Sequence, residues 1–174
     1  EKLTGWVNAR DAGRQPAAMY AMGSLLLAKD DLAGAVKMAE DGLSKYPQSL
    51  PVQTLSLNTI TTLLDKNRVE DAERLISKYP GTSPGLVFQQ GALAFRKGYY
   101  PLAQSLFREA ARRASEKTAE SALFNENLAA LNANDAAGAA ALVKEAAGSA
   151  QLREHILFEQ AHYAAKRMNP QAPE

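Results

Sequence analysis

The apolar positions of this chain follow helical spacing. Met19, Met22 and Leu26 step along one face of a helix, and Leu152, Ile156 and Tyr163 along another. No stretch alternates with period two among β-branched residues, so no sheet is expected. The pattern predicts helices over 2–12, 17–29, 32–46, 51–66, 69–79, 85–97, 101–114, 118–133, 136–148 and 151–168. Pro16, Pro47, Pro51, Pro80, Pro84 and Pro101 fall between these segments or at their starts, where a missing N–H costs little. Ser83-Pro84 reads as an N-cap with proline in the first turn, and Asp31 and Asp135 stand where they can cap the helices that follow. The segment Ala136–Ala147 is alanine-rich, but Leu142 and Val143 mark an apolar face, which predicts a close-packed helix. Connections of two to five residues make neighbouring helices antiparallel.

The elements repeat. Ser-Lys-Tyr-Pro occurs at Ser44–Pro47 and again at Ser77–Pro80, thirty-three residues on, each time closing a pair of helices. A period of that size built from helix pairs marks an α-solenoid. Gly23 lies twelve residues before Ala35, and Gly91 twelve before Ala103. A small residue in each helix of a pair lets the two approach closely. Asp31-Leu32-Ala33-Gly34-Ala35 is echoed by Asp135-Ala136-Ala137-Gly138-Ala139. Ala72 and Ala139 take the alanine slot in the second and fourth repeats, where Ile60 and Asn127 replace the glycine. The alanine spacings of 37, 31 and 36 residues imply turns or helices of unequal length.

These residues resemble the tetratricopeptide repeat, whose pattern is a bulky residue, Leu-Gly, Tyr, Ala, Phe and a closing Pro. The first repeat supplies Met19, Met22-Gly23, Leu26, Ala35, Ala39 and Pro47. The third supplies Val87, Gln90-Gly91, Ala94, Ala103 and Phe107, with Gly98 and Tyr100 in the turn. The resemblance covers Pro16 to Gly148 and implies an all-α fold, a right-handed superhelical solenoid of antiparallel helix hairpins. It divides the chain into a trailing half repeat or N-terminal cap (1–15), repeats at about 16–48, 49–83, 84–117 and 118–148, a C-terminal capping helix (151–168) and a tail (169–174).

In that family the first helix of each pair lines a concave peptide groove. The matching slots here hold Tyr20, Leu57, Phe88 and Phe124, with Phe95 two turns beyond Phe88. The resemblance thus implies an apolar, aromatic groove that binds a peptide or helix of a protein partner, with no chemistry and no cofactor. The same side chains also suit packing between adjacent first helices, so core and contact both stand open for them. Met19 and Met22 read as core. The Lys and Arg that some members use to clamp a chaperone tail are absent, since Tyr20 and Ser24 occupy those slots. The alternative implied role is an accessory domain of a larger bacterial envelope protein, in secretion, pilus or polysaccharide-export assembly or attached to a membrane metalloprotease.

Composition narrows these readings. The 174 residues fit one domain, with 46% hydrophobic and 22% charged residues. Lys plus Arg number 20 against 19 Asp plus Glu, which gives no electrostatic case for nucleic acid. Cysteine is absent, excluding disulfides and thiolate chemistry. No apolar run reaches the length of a spanning helix, so membrane insertion by this chain is not expected. The start at Glu1 reads as a cut or processed form, and the alanine-rich composition resembles a Gram-negative bacterial protein; the compartment stays open, leaning to the periplasm or envelope with the cytoplasm as the alternative.

His155, Glu159 and His162 fall on one face of the last helix with metal-competent side chains, but Lys166 continues that stripe as a solvated face. The order is not His-Glu-x-x-His, and neither a phosphate loop nor a Gly-x-Ser-x-Gly elbow is present, so no metal site and no enzyme is expected. Arg108, Arg112, Arg113 and Lys117 sit late in or just after a helix, where the macrodipole favours cations. Open solenoid ends also allow self-association, with Trp6 at one end and Ile156 and Phe158 at the other.

Overall fold

The computed structural model describes residues 15–168. Among these the protein is all-α. The helices are α1 (Gln15–Ala28), α2 (Leu32–Lys45), α3 (Leu50–Asp65), α4 (Val69–Lys78), α5 (Pro84–Arg96), α6 (Tyr100–Arg113), α7 (Glu116–Asn132), α8 (Ala136–Glu145) and α9 (Ala150–Met168). A 3-10 turn, Ala146–Gly148, closes α8 short of the end expected from its alanine run. The other boundaries fall within about two residues of the sequence reading, because proline and Ser or Asp caps punctuate the chain. The expected helix at 2–12, with Trp6, and the tail at 169–174 lie outside the described residues.

The chain divides into two compact units between Gln89 and Gln90, within α5. In the first, α1 packs on α2 and α3, α2 on α3 and α4, and α3 on α4. In the second, α7 packs on α6, α8 and α9, and α9 also on α8.

One turn recurs four times. Asp30, Asn67, Gly98 and Asn134 all have φ between 56° and 78°, the left-handed region. Each follows a helix, and the next residue's N–H returns to a carbonyl five positions back. These bonds run Asp31 to Leu26 (2.9 Å), Arg68 to Leu63 (2.7 Å), Tyr99 to Ala94 (2.9 Å) and Asp135 to Ala130 (2.9 Å). This is the Schellman closure, which satisfies otherwise orphaned helix carbonyls.

Five residues beyond each left-handed residue stands the alanine slot: Ala35, Ala72, Ala103 and Ala139, exposed by 3% or less. Asp31 and Asp135 cap the helices that follow, accepting from the N–H of Gly34 (2.9 Å) and Gly138 (2.8 Å). Arg68 and Tyr99 hold the same place without a side-chain cap.

The uneven alanine spacing comes from helix length: α2 has 14 residues and α4 only 10, about one turn fewer. Both copies of Ser-Lys-Tyr-Pro run out of a helix end, at Lys45 and at Lys78. Tyr46 is half-buried and donates its hydroxyl to Gln15, whereas Tyr79 is buried.

The two cores differ in composition. The first is built from Met19, Val52, Leu55, Ile60, Leu63 and Leu75, and Met22 is only half-buried. The second leans on Ala103, Ala110, Ala122, Ala129 and Ala130, filled out by Phe107, Leu142 and Ile156. At Gly91 a Cβ would stand 2.9 Å from the Phe107 ring, so the absence of a side chain there is what seats α6.

Two substitutions test this framework. A Cβ on Gly98 would meet nothing within 4 Å, so Gly98→Ala isolates backbone strain. It should cost about 1–2 kcal/mol in urea unfolding. Gly91→Val, which drives a branched side chain into the buried ring of Phe107, should cost about 1–3 kcal/mol in the same measurement.

Candidate functional site

The residues expected to line a groove occupy one slot relative to the recurring turn. Tyr20, Leu57, Phe88 and Phe124 each stand ten positions before a left-handed residue. Of their immediate predecessors Met19, Ser56 and Val87 are buried, at 4%, 0% and 3% exposure, whereas Leu123 before Phe124 is half-buried. Tyr20 itself is 36% exposed, and Leu57, Phe88 and Phe124 are half-buried. A helix places consecutive side chains about 100° apart, which is how the core residue and its outward neighbour share one turn.

Each unit carries part of this set. In the first, a Leu57 methyl lies 3.0 Å from where a Cβ on Gly85 would be, so glycine at the start of α5 admits it. Nearby, Gln89 Nε2 donates to Thr61 Oγ1 at 2.7 Å, joining α5 to α3. In the second unit Phe95 meets Tyr100 edge to face, with centroids 5.3 Å apart. Phe124 meets His155 in the same manner at 6.4 Å.

A depression of about 310 Å³ opens between α7 and α9, lined by Lys117, Glu120, Phe124, Asn125, Leu152 and His155 among others. It joins an expected groove aromatic, one member of the basic cluster and one histidine of the last helix. Asn125 Nδ2 donates to the Ser121 carbonyl at 2.8 Å. His162 stacks on Phe158, with rings 6.4 Å apart and 8° from parallel. Among the described residues no group of three His, Asp, Glu or Cys side chains is placed to hold a metal ion.

A second depression, about 230 Å³ between α2 and α4, has Val36 and Leu63 in its lining. Apart from Lys37, the charged residues of its rim are paired with one another or with Lys78. Arg74 meets Asp71 at 2.8 Å and Glu40 at 3.2 Å, Lys78 meets Glu40 at 3.0 Å, and Arg68 pairs with Asp71. Burial opposes ionisation of Glu40, but the bonds from Lys78 and Arg74 prevail and hold its carboxyl below the ordinary value.

Sequence reasoning missed the buried polar cluster on α7. Glu126 is 1% exposed and Asn127 fully buried. Glu126 Oε1 accepts from Arg108 at 2.7 Å, and Arg108 also reaches both oxygens of Glu145 at 2.6 and 2.7 Å. Asn127 Oδ1 accepts from Gln160 Nε2 at 2.8 Å, and the same nitrogen donates to the Ala139 carbonyl at 2.7 Å. Glu126 Oε2 and Asn127 Nδ2 have no protein partner. Arg108, placed by the sequence among cations late in a helix, is the counterion of a buried carboxylate. The available signal was Asn127 itself, a polar residue in the slot that glycine fills in the first and third repeats.

No family model, no curated protein and no solved structure matches this chain. Among the described residues no helix is long and apolar enough to cross a membrane.

Burial pushes the Glu126 carboxyl above its ordinary value of 4.5, against the pull of Arg108. An acid whose folded pKa is raised destabilises the fold as pH climbs from the unfolded value through the folded one, because the folded state then gives up a proton it held more tightly. Glu126→Gln removes that titration and leaves Arg108 paired with Glu145. The stability of the variant relative to the parent, followed by urea unfolding from pH 4 to pH 7, should therefore rise with pH.

Proposed function

We propose that this chain is a protein-interaction module of the tetratricopeptide-like solenoid kind, which binds a peptide or helix of a partner and performs no chemistry. The observation that carries this reading is the recurrence of Tyr20, Leu57, Phe88 and Phe124 at one position relative to the turn, each beside the buried face of its helix and each retaining exposure. Aromatic anchors with partial exposure supply large contact area at low entropic cost, the composition that favours binding hot spots. Four helix pairs with the same left-handed turn and the same buried alanine support the assignment to helix-hairpin repeats. In this reading Tyr20, Leu57 and Phe88 present the binding surface of the first unit, and Phe95 and Phe124 that of the second. The near-balance of charge leaves apolar contact as the main source of affinity.

The test pairs affinity capture with a folding control. Phe88→Ala with Phe124→Ala removes two rings that are half-buried, so helix content by circular dichroism should persist. A partner retained by the parent should be bound at least about tenfold more weakly by the variant, a loss of about 1.4 kcal/mol or more. Equal retention by a folded variant would place binding elsewhere. Loss of helix content would assign the two rings to the core.

A further inference from the structure

The sequence of α7 returns in α9. Ser115–Glu126 and Ser149–Gln160 align without a gap thirty-four residues apart, sharing Ser, Glu, Leu and Phe at Ser115/Ser149, Glu120/Glu154, Leu123/Leu157 and Phe124/Phe158. Their structures agree. Each serine directly precedes its helix, Ser149 Oγ accepting from the Leu152 N–H at 3.3 Å and Ser115 making no such bond, and Ala122 and Ile156, one residue before the Leu-Phe pair, are both fully buried. By sequence and burial α9 is the first helix of another repeat.

The two Leu-Phe pairs differ in what covers them. Leu123 and Phe124 pack against a cluster formed by Leu142, Ala146, Leu152 and Ile156, and the His155 ring meets Phe124 edge-on. The cover supplied by α9 is thus an aliphatic pair four residues apart, Leu152 and Ile156, with a polar ring between. On α9 the equivalent Leu157 and Phe158 are 45% and 67% exposed, beside an open depression of about 500 Å³ lined also by Ala150, Arg153 and Glu154.

We propose that Leu157 and Phe158 form a docking face for an amphipathic helix of another protein. That helix carries an aliphatic pair at i and i+4, seated on α9 as Leu152 and Ile156 are seated on α7. The occupant follows from the structure itself, because the interface between α7 and α9 shows what the Leu-Phe pair of this repeat receives. Arg153 and Glu154 give the rim both signs of charge, which suits a helix with a mixed polar flank. A second copy of the chain does not fit this description. Its own Leu152 and Ile156 are 7% and 0% exposed and already engaged. This face is independent of the surface proposed around Phe88.

The probe is a fluorescent peptide with the sequence of residues 149–165, in which Leu152 and Ile156 are unengaged, titrated into the intact chain by anisotropy. Saturable binding is expected. Phe158→Ala and Leu157→Gln in the chain should each weaken it at least tenfold, and Leu50→Ala, an exposed position outside both proposed surfaces, should leave it unchanged. A peptide carrying Leu152→Ala and Ile156→Ala should not bind. Absence of saturable binding overturns the proposal. So does binding that survives Phe158→Ala but is lost with Phe124→Ala, since the peptide would then be displacing α9 from α7. Sedimentation showing self-association of the chain that Phe158→Ala abolishes would make a second copy the occupant and overturns it equally. Because Phe158 is 67% exposed, its replacement leaves the fold intact, and circular dichroism verifies that.

Discussion

The close approach of two helices depends on where the chain reverses. Each of the four pairs turns on a residue in the left-handed region, and each places a buried alanine five residues later. The left-handed residue ends the first helix by returning the next N–H to a carbonyl inside it. That closure fixes the direction in which the second helix departs, and alanine then offers only a methyl group at the contact. With the separation set there, larger side chains fill the space around it: Phe107 of α6 against Gly91 of α5 within one pair, and Leu55 of α3 against Gly23 of α1 between the first pair and the second. Three of the four turn positions hold Asp or Asn rather than glycine, residues whose short polar side chains tolerate this conformation better than others.

The second unit departs from this economy at Glu126 and Asn127. An ion pair withdrawn from water gains less than it loses unless its remaining atoms are bonded, and here one carboxylate oxygen and one amide nitrogen lack protein partners. What the cluster supplies is geometry. Arg108 ties α6 to α7 and to Glu145 at the end of α8, while Gln160 ties α9 to both α7 and α8. Directional bonds of this kind specify one arrangement of four helices whose alanine contacts, by themselves, discriminate poorly between neighbouring registers.

Much of the fold was legible because its punctuation is chemical. Prolines and Ser or Asp caps fixed the helix boundaries, and the alanine slot was visible from Ala35, Ala72, Ala103 and Ala139. The turn was only half legible. Gly98 announces a left-handed residue, but Asp30, Asn67 and Asn134 read as ordinary polar loop positions until all four are counted back from the alanines. Glu126 escaped because a charged residue in a helix reads as surface unless its counterion is known, and Arg108 lies eighteen positions away in sequence. Ile156 was expected at an exposed end beside Phe158. It is instead fully buried, because α9 turns that side toward α7 and α8 and leaves Leu157 and Phe158 outside.

The unequal cores also set how each half answers to temperature. Replacing leucine and isoleucine by alanine lets backbones approach, but each such position removes less hydrocarbon from water. Heat capacity of unfolding follows the apolar area exposed. The alanine-lined unit therefore has the flatter dependence of stability on temperature, and the leucine-rich unit the more sharply domed one. Two stretches of one chain, built on the same turn, would then stand at different relative strengths in the cold and in the heat.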